Sequence, residues 1–199
     1  MVKANAEPLM YRLKVTLKHS KPPIWRRLLV DGDASLGELH DLIQVAMGWD
    51  DDHLHFFLVG DVYYGQRDGF MALDDPEAVE EDSVRLRDVA AVEGGRFTYE
   101  YDFGDGWVHI ILVEKILPRD PEQKLPVCLK GVRACPPEDI GGIWGYYDFL
   151  DALNDPQHPS HDRYMEWAKD FDPEAFDLEA VNARLSYVSQ PPAPSSRRV

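Results

Sequence analysis

Residues 99–109 combine ionisable and aromatic side chains in a stretch that has the pattern of a β-hairpin. The Asp105-Gly106 dipeptide is typical of a two-residue turn, which would set Asp102 directly opposite His109. A carboxylate beside an imidazole raises the pKa of the imidazole and fixes its tautomer, as a general base or a metal ligand requires. The same pair is also common as a plain surface ion pair, so both interpretations stay open.

The predicted register sorts the side chains of the hairpin between two faces. Trp107 and His109 would share an open face with Asp102, whereas Tyr99 and Tyr101 would pack on the core. An open aromatic groove beside ionisable residues is the default setting of a ligand site, and the alternative is that these aromatic residues belong to the core. The candidate ligand-binding residues are Asp102, Trp107, His109, Trp144 and Tyr146.

Two histidines that precede the hairpin in the sequence are possible metal ligands. His53 and His55 stand two positions apart on a predicted strand, so they would point to one side together with Asp51. If that strand neighbours the hairpin, a divalent metal ion could bind between the two segments. The candidate metal ligands are His53, His55, Asp102 and His109. The alternative is a partly buried pair of histidines after an acidic loop, and no other cofactor is predicted.

Two neighbouring acids are the candidate catalytic residues. Glu138 and Asp139 precede Gly141-Gly142, and the glycines would let a ligand or another backbone approach the carboxylates closely. The alternative is that both acids offset the positive end of the helix that follows. Elsewhere, Arg26-Arg27 could bind an anion, or could simply pair with some of the many acidic residues.

Composition excludes several classes of protein. The chain has 199 residues, 44% of them hydrophobic, which is enough for one sizeable core. Its formal net charge of -15 repels phosphate and disfavours direct binding to nucleic acid. No apolar run approaches the roughly 20 residues that span a bilayer, and the start of the chain lacks an apolar signal region. With two cysteines and no disulfide framework, we expect a cytoplasmic protein with no membrane partner.

Hydrophobic periodicity predicts an α+β fold. We expect a mainly antiparallel sheet with one amphipathic helix after the first two strands and a C-terminal helical segment from about residue 143. The predicted strands include 9–17, 24–30 and the hairpin 96–117, and the capped helix covers 36–47. Two stretches lack regular periodicity: 74–82, an acidic solvated loop, and 127–142, a long irregular segment. Residues 1–8 would form a flexible N-terminus, 9–187 a single domain and 188–199 a disordered tail.

Several motifs together resemble the plasmid pRiA4b ORF-3-like family, whose members are also labelled TnpR-type passenger proteins of insertion sequences. The motifs are 23–27 (PIWRR), 39–44 (LHDLIQ) with 48–49 (GW), 53–56 (HLHF), 101–107 (YDFGDGW), 135–139 (CPPED), 141–142 (GG) and 145–146 (GY). The resemblance runs from about Tyr11 to Leu185 and implies an α+β domain found on plasmids, mobile elements and chromosomes. Family members often carry a cysteine where this chain has Ile140, so Cys128 and Cys135 lack a third thiol for a zinc site.

Three functions remain as hypotheses. The first is a non-catalytic binding or adaptor module that holds an unknown protein or small molecule. The second is a metal-dependent hydrolase or nuclease in which Glu138 or Asp139 acts as the base. The third is an accessory role in DNA recombination, although the chain shows neither the Arg-rich serine motif nor the basic recognition helix of a resolvase. A catalytic triad order and a phosphate-binding glycine loop are also absent from the sequence.

Overall fold

The computed structural model describes residues 7–66, 78–168 and 170–188. Most of the predicted flexible N-terminus, residues 74–77 of the predicted acidic loop and residues 189–199 of the predicted tail lie outside these ranges. Within them, a mostly antiparallel sheet and several helices surround one hydrophobic core. The predicted α+β class is confirmed.

The described strands form one eight-stranded sheet in the order β5-β4-β3-β6-β7-β1-β2-β8. The strands are β1 (Leu9–Leu17), β2 (Trp25–Asp31), β3 (His55–Val59), β4 (Val62–Gly65), β5 (Val79–Glu80), β6 (Arg96–Tyr101), β7 (Trp107–Pro118) and β8 (Val127–Val132). All neighbouring strands are antiparallel except β4 and β5. Strand β8, at one edge, lies within the stretch that was predicted to be irregular, so that prediction is wrong there.

The helices of the described residues fall into an early helix and a C-terminal group. They are α1 (Leu36–Met47), the short α2 (Leu86–Val89), α3 (Gly142–Asn154), α4 (His161–Ala168) and α5 (Leu178–Val188), with a 3-10 helix at Glu81–Ser83. The C-terminal helical segment was predicted and is confirmed. Helix α5 packs on both α1 and β8, which joins the C-terminal group to the sheet.

The strand predicted from alternating residues forms as β1, and the helix predicted from its capping box forms as α1. Leu13, Val15 and Leu17 point into the core because side chains of a strand alternate between its faces. At the start of α1, the Oγ of Ser35 accepts a hydrogen bond from the backbone of Glu38, whose carboxylate accepts one from the backbone of Ser35.

Candidate metal-binding site

The turn between β6 and β7 is longer than predicted, and the register changes with it. His109 pairs with Tyr99, so the prediction that it lies opposite Asp102 is wrong. Asp102 instead has a left-handed backbone (φ 56°), and its Oδ1 accepts hydrogen bonds from the N–H groups of Gly104 (2.9 Å) and Asp105 (3.3 Å). A side chain that bonds its own loop in this way replaces the two-residue turn. Because the pairing shifts by three positions, an odd number, the two faces of β7 are exchanged.

The exchange of faces moves two predicted site residues into the core. Trp107 is 1% exposed and His109 is fully buried, with its ring packed against Trp49 and Tyr99. Neither ring nitrogen of His109 has a hydrogen-bond partner among the described residues. Burial lowers the pKa of His109 to about 3, so its imidazole is neutral at pH 7. The open face that was predicted around Trp107 and His109 is therefore corrected to a buried one.

The remaining aromatic candidates both lie on α3, where one is buried and the other is exposed. Tyr146 is 3% exposed and packs against Phe149 and Phe171. Trp144 is 76% exposed and has Tyr147 as its aromatic neighbour, with 6.2 Å between ring centroids. Of these two side chains, Trp144 is available to a partner at the surface.

The structure gathers one histidine and three carboxylates at the surface, and we call these residues the His53 cluster. Its members are His53, Asp102, Glu138 and Asp139. The Nε2 of His53 lies 3.3 Å from Oδ1 of Asp139, 3.8 Å from Oδ2 of Asp102 and 4.0 Å from Oε2 of Glu138. Three chain segments that are far apart in the sequence thus meet around one ring nitrogen.

Backbone hydrogen bonds hold the His53 loop in place between α1 and β3. The loop starts where α1 ends at Gly48, whose left-handed backbone (φ 106°) closes the helix. The N–H of Asp52 donates to the hydroxyl of Tyr101 (3.1 Å), and the N–H of Asp102 donates to the carbonyl of Leu54 (2.9 Å). Both bonds tie the loop to the hairpin, so His53 and Asp102 are positioned by the same contacts.

The segment that carries Glu138 and Asp139 is fixed at two points. The indole N–H of Trp49 donates to the carbonyl of Pro136 (3.0 Å), and the N–H of Gly141 donates to Oδ2 of Asp105 (3.1 Å). Helix α3 has no side-chain cap at its start. The alternative that the two acids offset the positive end of this helix stays a prediction.

Glu138 is the most constrained acid of the His53 cluster. Its Oε1 accepts hydrogen bonds from the hydroxyl of Tyr101 and from the N–H of Asp50, each at 3.1 Å. Its Oε2 is buried and has no hydrogen-bond partner among the described residues. Burial raises the pKa of Glu138, an effect that the two hydrogen bonds and His53 oppose. One oxygen is thus held by the protein, and the other is left unpaired on the side of His53.

Two of the three separations from Nε2 of His53, 3.8 and 4.0 Å, are too long for hydrogen bonds and slightly longer than those around a bound divalent ion. A metal ion about 2.1 Å from each ligand atom sets neighbouring ligand atoms about 3 to 3.4 Å apart. The ligand atoms of His53, Asp102 and Asp139 all lie within 4.8 Å of one another. Among the described residues, no lysine or arginine forms an ion pair with any carboxylate of the cluster. A modest contraction around a divalent ion would complete the site and offset two of the three negative charges of the cluster.

His55 does not join His53, because His53 precedes β3 and the alternation of the strand does not reach it. His55 is buried and its Nε2 contacts Oε2 of the buried Glu81 at 2.9 Å. Its ring stacks on His40 with 3.4 Å between centroids. The four candidate metal ligands are thus divided: the partly exposed His53 meets the buried Asp102, while His55 and His109 occupy separate buried positions.

Sequence reasoning missed one acidic partner of the buried histidines, Glu81, and placed the other, Asp51, beside His53 and His55. Glu81 belongs to the stretch that was predicted to be a solvated acidic loop, yet it is 2% exposed. Asp51 lies on the loop before β3, and its Oδ1 is 2.8 Å from Nε2 of His40. The sequence pattern grouped Asp51 with His55 but gave no sign of the pairs that form. Nothing in the local sequence marks the pairing of His40 with Asp51 or of His55 with Glu81.

Both ring nitrogens of His40 have hydrogen-bond partners in the buried network around it. Gln44 donates a hydrogen bond to the hydroxyl of Tyr99, which lies 2.8 Å from Nδ1 of His40. The Tyr99 proton is then free to bond Nδ1, which leaves the Nε2 proton of His40 to bond Asp51. Burial, with a further contribution from His55, lowers the pKa of His40 to about 3. His40 therefore uses both nitrogens in structural hydrogen bonds, unlike His53.

The fold and the His53 cluster define an α+β protein with a candidate surface site for a divalent metal ion. The chain belongs to the plasmid pRiA4b ORF-3-like family, whose sequence profile matches residues 9–180. The resemblance that was inferred from the motifs is confirmed. The family is plasmid-associated, and its homologues are uncharacterised.

Two relatives cover nearly all of the chain. The uncharacterised protein y4hQ of Sinorhizobium fredii is 38% identical over 192 residues, which are 94% of this chain and 96% of the relative. A crystal structure of a protein of unknown function from Methanosarcina mazei Go1 is similar at 36% identity with a TM-score of 0.76. It covers 87% of this chain and 98% of its own. No helix of the described residues is long and apolar enough to cross a membrane.

Proposed function

We propose that the protein is a binding module that holds a divalent metal ion in the His53 cluster. The observation that carries the proposal is the convergence of three carboxylates on Nε2 of His53 at 3.3 to 4.0 Å, with no lysine or arginine paired to them in the described chain. The imidazole nitrogen of His53 and the carboxylate oxygens of Asp102 and Asp139 form a ligand set without thiolate, which suits manganese, iron or zinc. Asp139 is largely exposed and His53 partly so, which leaves the ion open to solvent and to a ligand.

The surroundings of the cluster support a partner that covers the bound ion. Leu54 and Phe103 are exposed hydrophobic residues next in sequence to His53 and Asp102, and Trp144 follows the Asp139 segment. Exposed apolar side chains beside a polar site favour recognition of a protein or a small molecule. The predicted adaptor role is therefore retained in the proposal, with its contact surface at the His53 cluster.

Titration calorimetry with Mn²⁺ or Zn²⁺ on metal-free protein tests the proposal. We expect one ion per chain and a loss of affinity of at least about 10-fold in both His53→Ala and Asp139→Asn. A matched control is His158→Ala, because His158 also faces a carboxylate at the surface, with 3.4 Å from its Nε2 to Oδ1 of Asp148. Equal affinity in the wild type and both cluster variants, or equal losses in the control, would contradict the proposal.

Metal-dependent hydrolysis is a second candidate, favoured by the unpaired oxygen of Glu138. An acid with a raised pKa beside a metal ion can act as general base toward a metal-bound water. With metal-loaded protein and chromogenic phosphodiester or carboxylester substrates, Glu138→Gln should then abolish turnover. A binding module instead shows no turnover above that of His53→Ala.

Direct contact with DNA receives no support from the basic residues near the N-terminus. Arg12 and Arg27 both pair with Glu114, and Arg26 is buried. Counterion release from phosphates requires free cationic side chains. We therefore expect no gel-shift binding of duplex DNA at physiological salt.

A further inference from the structure

Arg26 is a buried cation without an acidic partner. It is 2% exposed, and among the described residues no carboxylate forms an ion pair with it. Its Nε donates to the carbonyl of Ala46 (2.8 Å), and its Nη1 donates to the carbonyls of Trp25 and Val132, each at 3.0 Å. The described chain offers no hydrogen-bond partner to Nη2. Part of the guanidinium is thus unpaired on a side chain that is otherwise buried and hydrogen-bonded.

The neighbouring arginine, Arg27, differs from Arg26 in having an acidic partner. Arg27 points to the other face of β2 and forms a two-pronged pair with Glu114, at 2.7 and 2.8 Å. In a chain with a net charge of -15, acids are abundant. The lack of one beside Arg26 is therefore a specific feature of that position.

Arg26 lines a cleft of about 570 Å³ between the end of α1, the 134–138 segment and the C-terminal helices. Phe176 stacks on its guanidinium, 4.4 Å from the ring centroid. Trp49 and Phe171 add further apolar surface, and Arg184 contributes a second guanidinium that forms no ion pair with the described residues. Two unpaired guanidinium groups among aromatic rings suit an anion attached to an apolar body.

Three acids line the cleft, namely Asp50, Glu138 and Asp177, and two of them are engaged elsewhere. Asp177 uses its Oδ1 to accept a hydrogen bond from the N–H of Ala180 at the start of α5. Glu138 uses one oxygen for Tyr101 and Asp50 and directs the other toward His53. Among the described residues, none of the three acids forms an ion pair with Arg26 or Arg184.

We propose that this cleft binds a small organic anion, a carboxylate or a phosphate on an apolar body, through Nη2 of Arg26 and the guanidinium of Arg184. The remainder of the ligand packs on Trp49, Phe171 and Phe176. This inference does not require a metal ion in the His53 cluster.

Calorimetry in metal-free buffer with phenyl phosphate and phenylacetate as probes, and with benzyl alcohol as the neutral counterpart, tests the inference. We expect saturable binding of at least one anionic probe and much weaker binding of the alcohol. The tighter anion identifies the headgroup as phosphate or carboxylate. No binding of either anion, or equal binding of the alcohol, would overturn the proposal.

Variants locate the binding in the cleft. Arg184→Gln changes an exposed residue and should weaken binding about 10-fold, while the exposed Arg163→Gln should leave it unchanged. Arg26→Lys keeps the charge but removes the planar fork, and we expect a comparable or larger loss. Unchanged binding in both Arg184→Gln and Arg26→Lys overturns the inference. A loss in His53→Ala would also overturn it, because it would place the anion at the metal site.

Discussion

The α-carbon of Gly142 lies directly against the backbone carbonyl of Asp105, so that the start of α3 is packed onto the hairpin loop. A hydrogen bond from the N–H of Gly141 to the Asp105 carboxylate reinforces the contact. The loop holds Asp102, and the segment before α3 holds Asp139. The packing of a glycine thus determines whether two carboxylates of the His53 cluster meet.

Gly142→Ala should disrupt this contact. Gly142 has a φ of 66°, and a Cβ would overlap the Asp105 carbonyl, so we expect a loss of about 3 kcal/mol in unfolding free energy together with weaker metal binding. Gly60→Ala is the matched control: its φ is 61°, but nothing lies within 4 Å of the added Cβ. It should cost only about 1 kcal/mol. Urea denaturation measures both, and equal losses would show that the Asp105 contact is unimportant.

Two substitutions of Asp102 should separate its roles in the loop and in the cluster. Asp102→Asn keeps an oxygen that can accept from Gly104 and Asp105, and asparagine tolerates the left-handed backbone, so stability should change by less than about 0.5 kcal/mol. The same change removes a negative charge and should weaken metal binding at least about 10-fold. Asp102→Ala should weaken metal binding in the same way and should also lower the free energy of unfolding by about 2 kcal/mol. Metal affinity that is unchanged in Asp102→Asn would exclude this carboxylate as a ligand.

His109 should make stability depend on pH. Its pKa is about 3 in the folded chain, against about 6.5 for an unperturbed histidine. Between these values the unfolded chain binds a proton that the folded chain does not, so the free energy of unfolding falls as the pH falls. From pH 7 to pH 5 the loss assigned to this residue is about 2 kcal/mol. His109→Phe should remove that loss in denaturation curves recorded at both values, and an identical pH dependence in the variant would contradict the prediction.

The sequence predicts the sheet and the first helix well because their signals are local. The alternation in β1 and the Ser35–Glu38 capping box act within a few residues, and both elements form where they are expected. Strand β8 escaped prediction because its hydrogen bonds go to β2, and its own residues carry no clear alternation. The pairing partner, rather than the segment itself, makes it a strand.

The candidate site was predictable only in part. His53, Asp102, Glu138 and Asp139 were all singled out by residue type and motif. The sequence also grouped His53 with Asp102 in one metal site, but it added His55 and His109 and gave Glu138 or Asp139 as the base. His109 is buried because the Asp102 side chain bonds its own loop and changes the hairpin register.

The contacts of the buried ionisable residues were not predictable from the sequence. The His55–Glu81 pair and the unpaired Arg26 depend on which segments pack together, a property that no local pattern records.

Anomalous diffraction from crystals soaked in Mn²⁺ examines the metal site most directly. We expect one strong peak about 2.1 to 2.3 Å from Nε2 of His53 and from carboxylate oxygens of Asp102 and Asp139, and no such peak in His53→Ala crystals. A peak beside His40 and His55 instead, or none near His53 in the wild type, would contradict a metal ion in the His53 cluster.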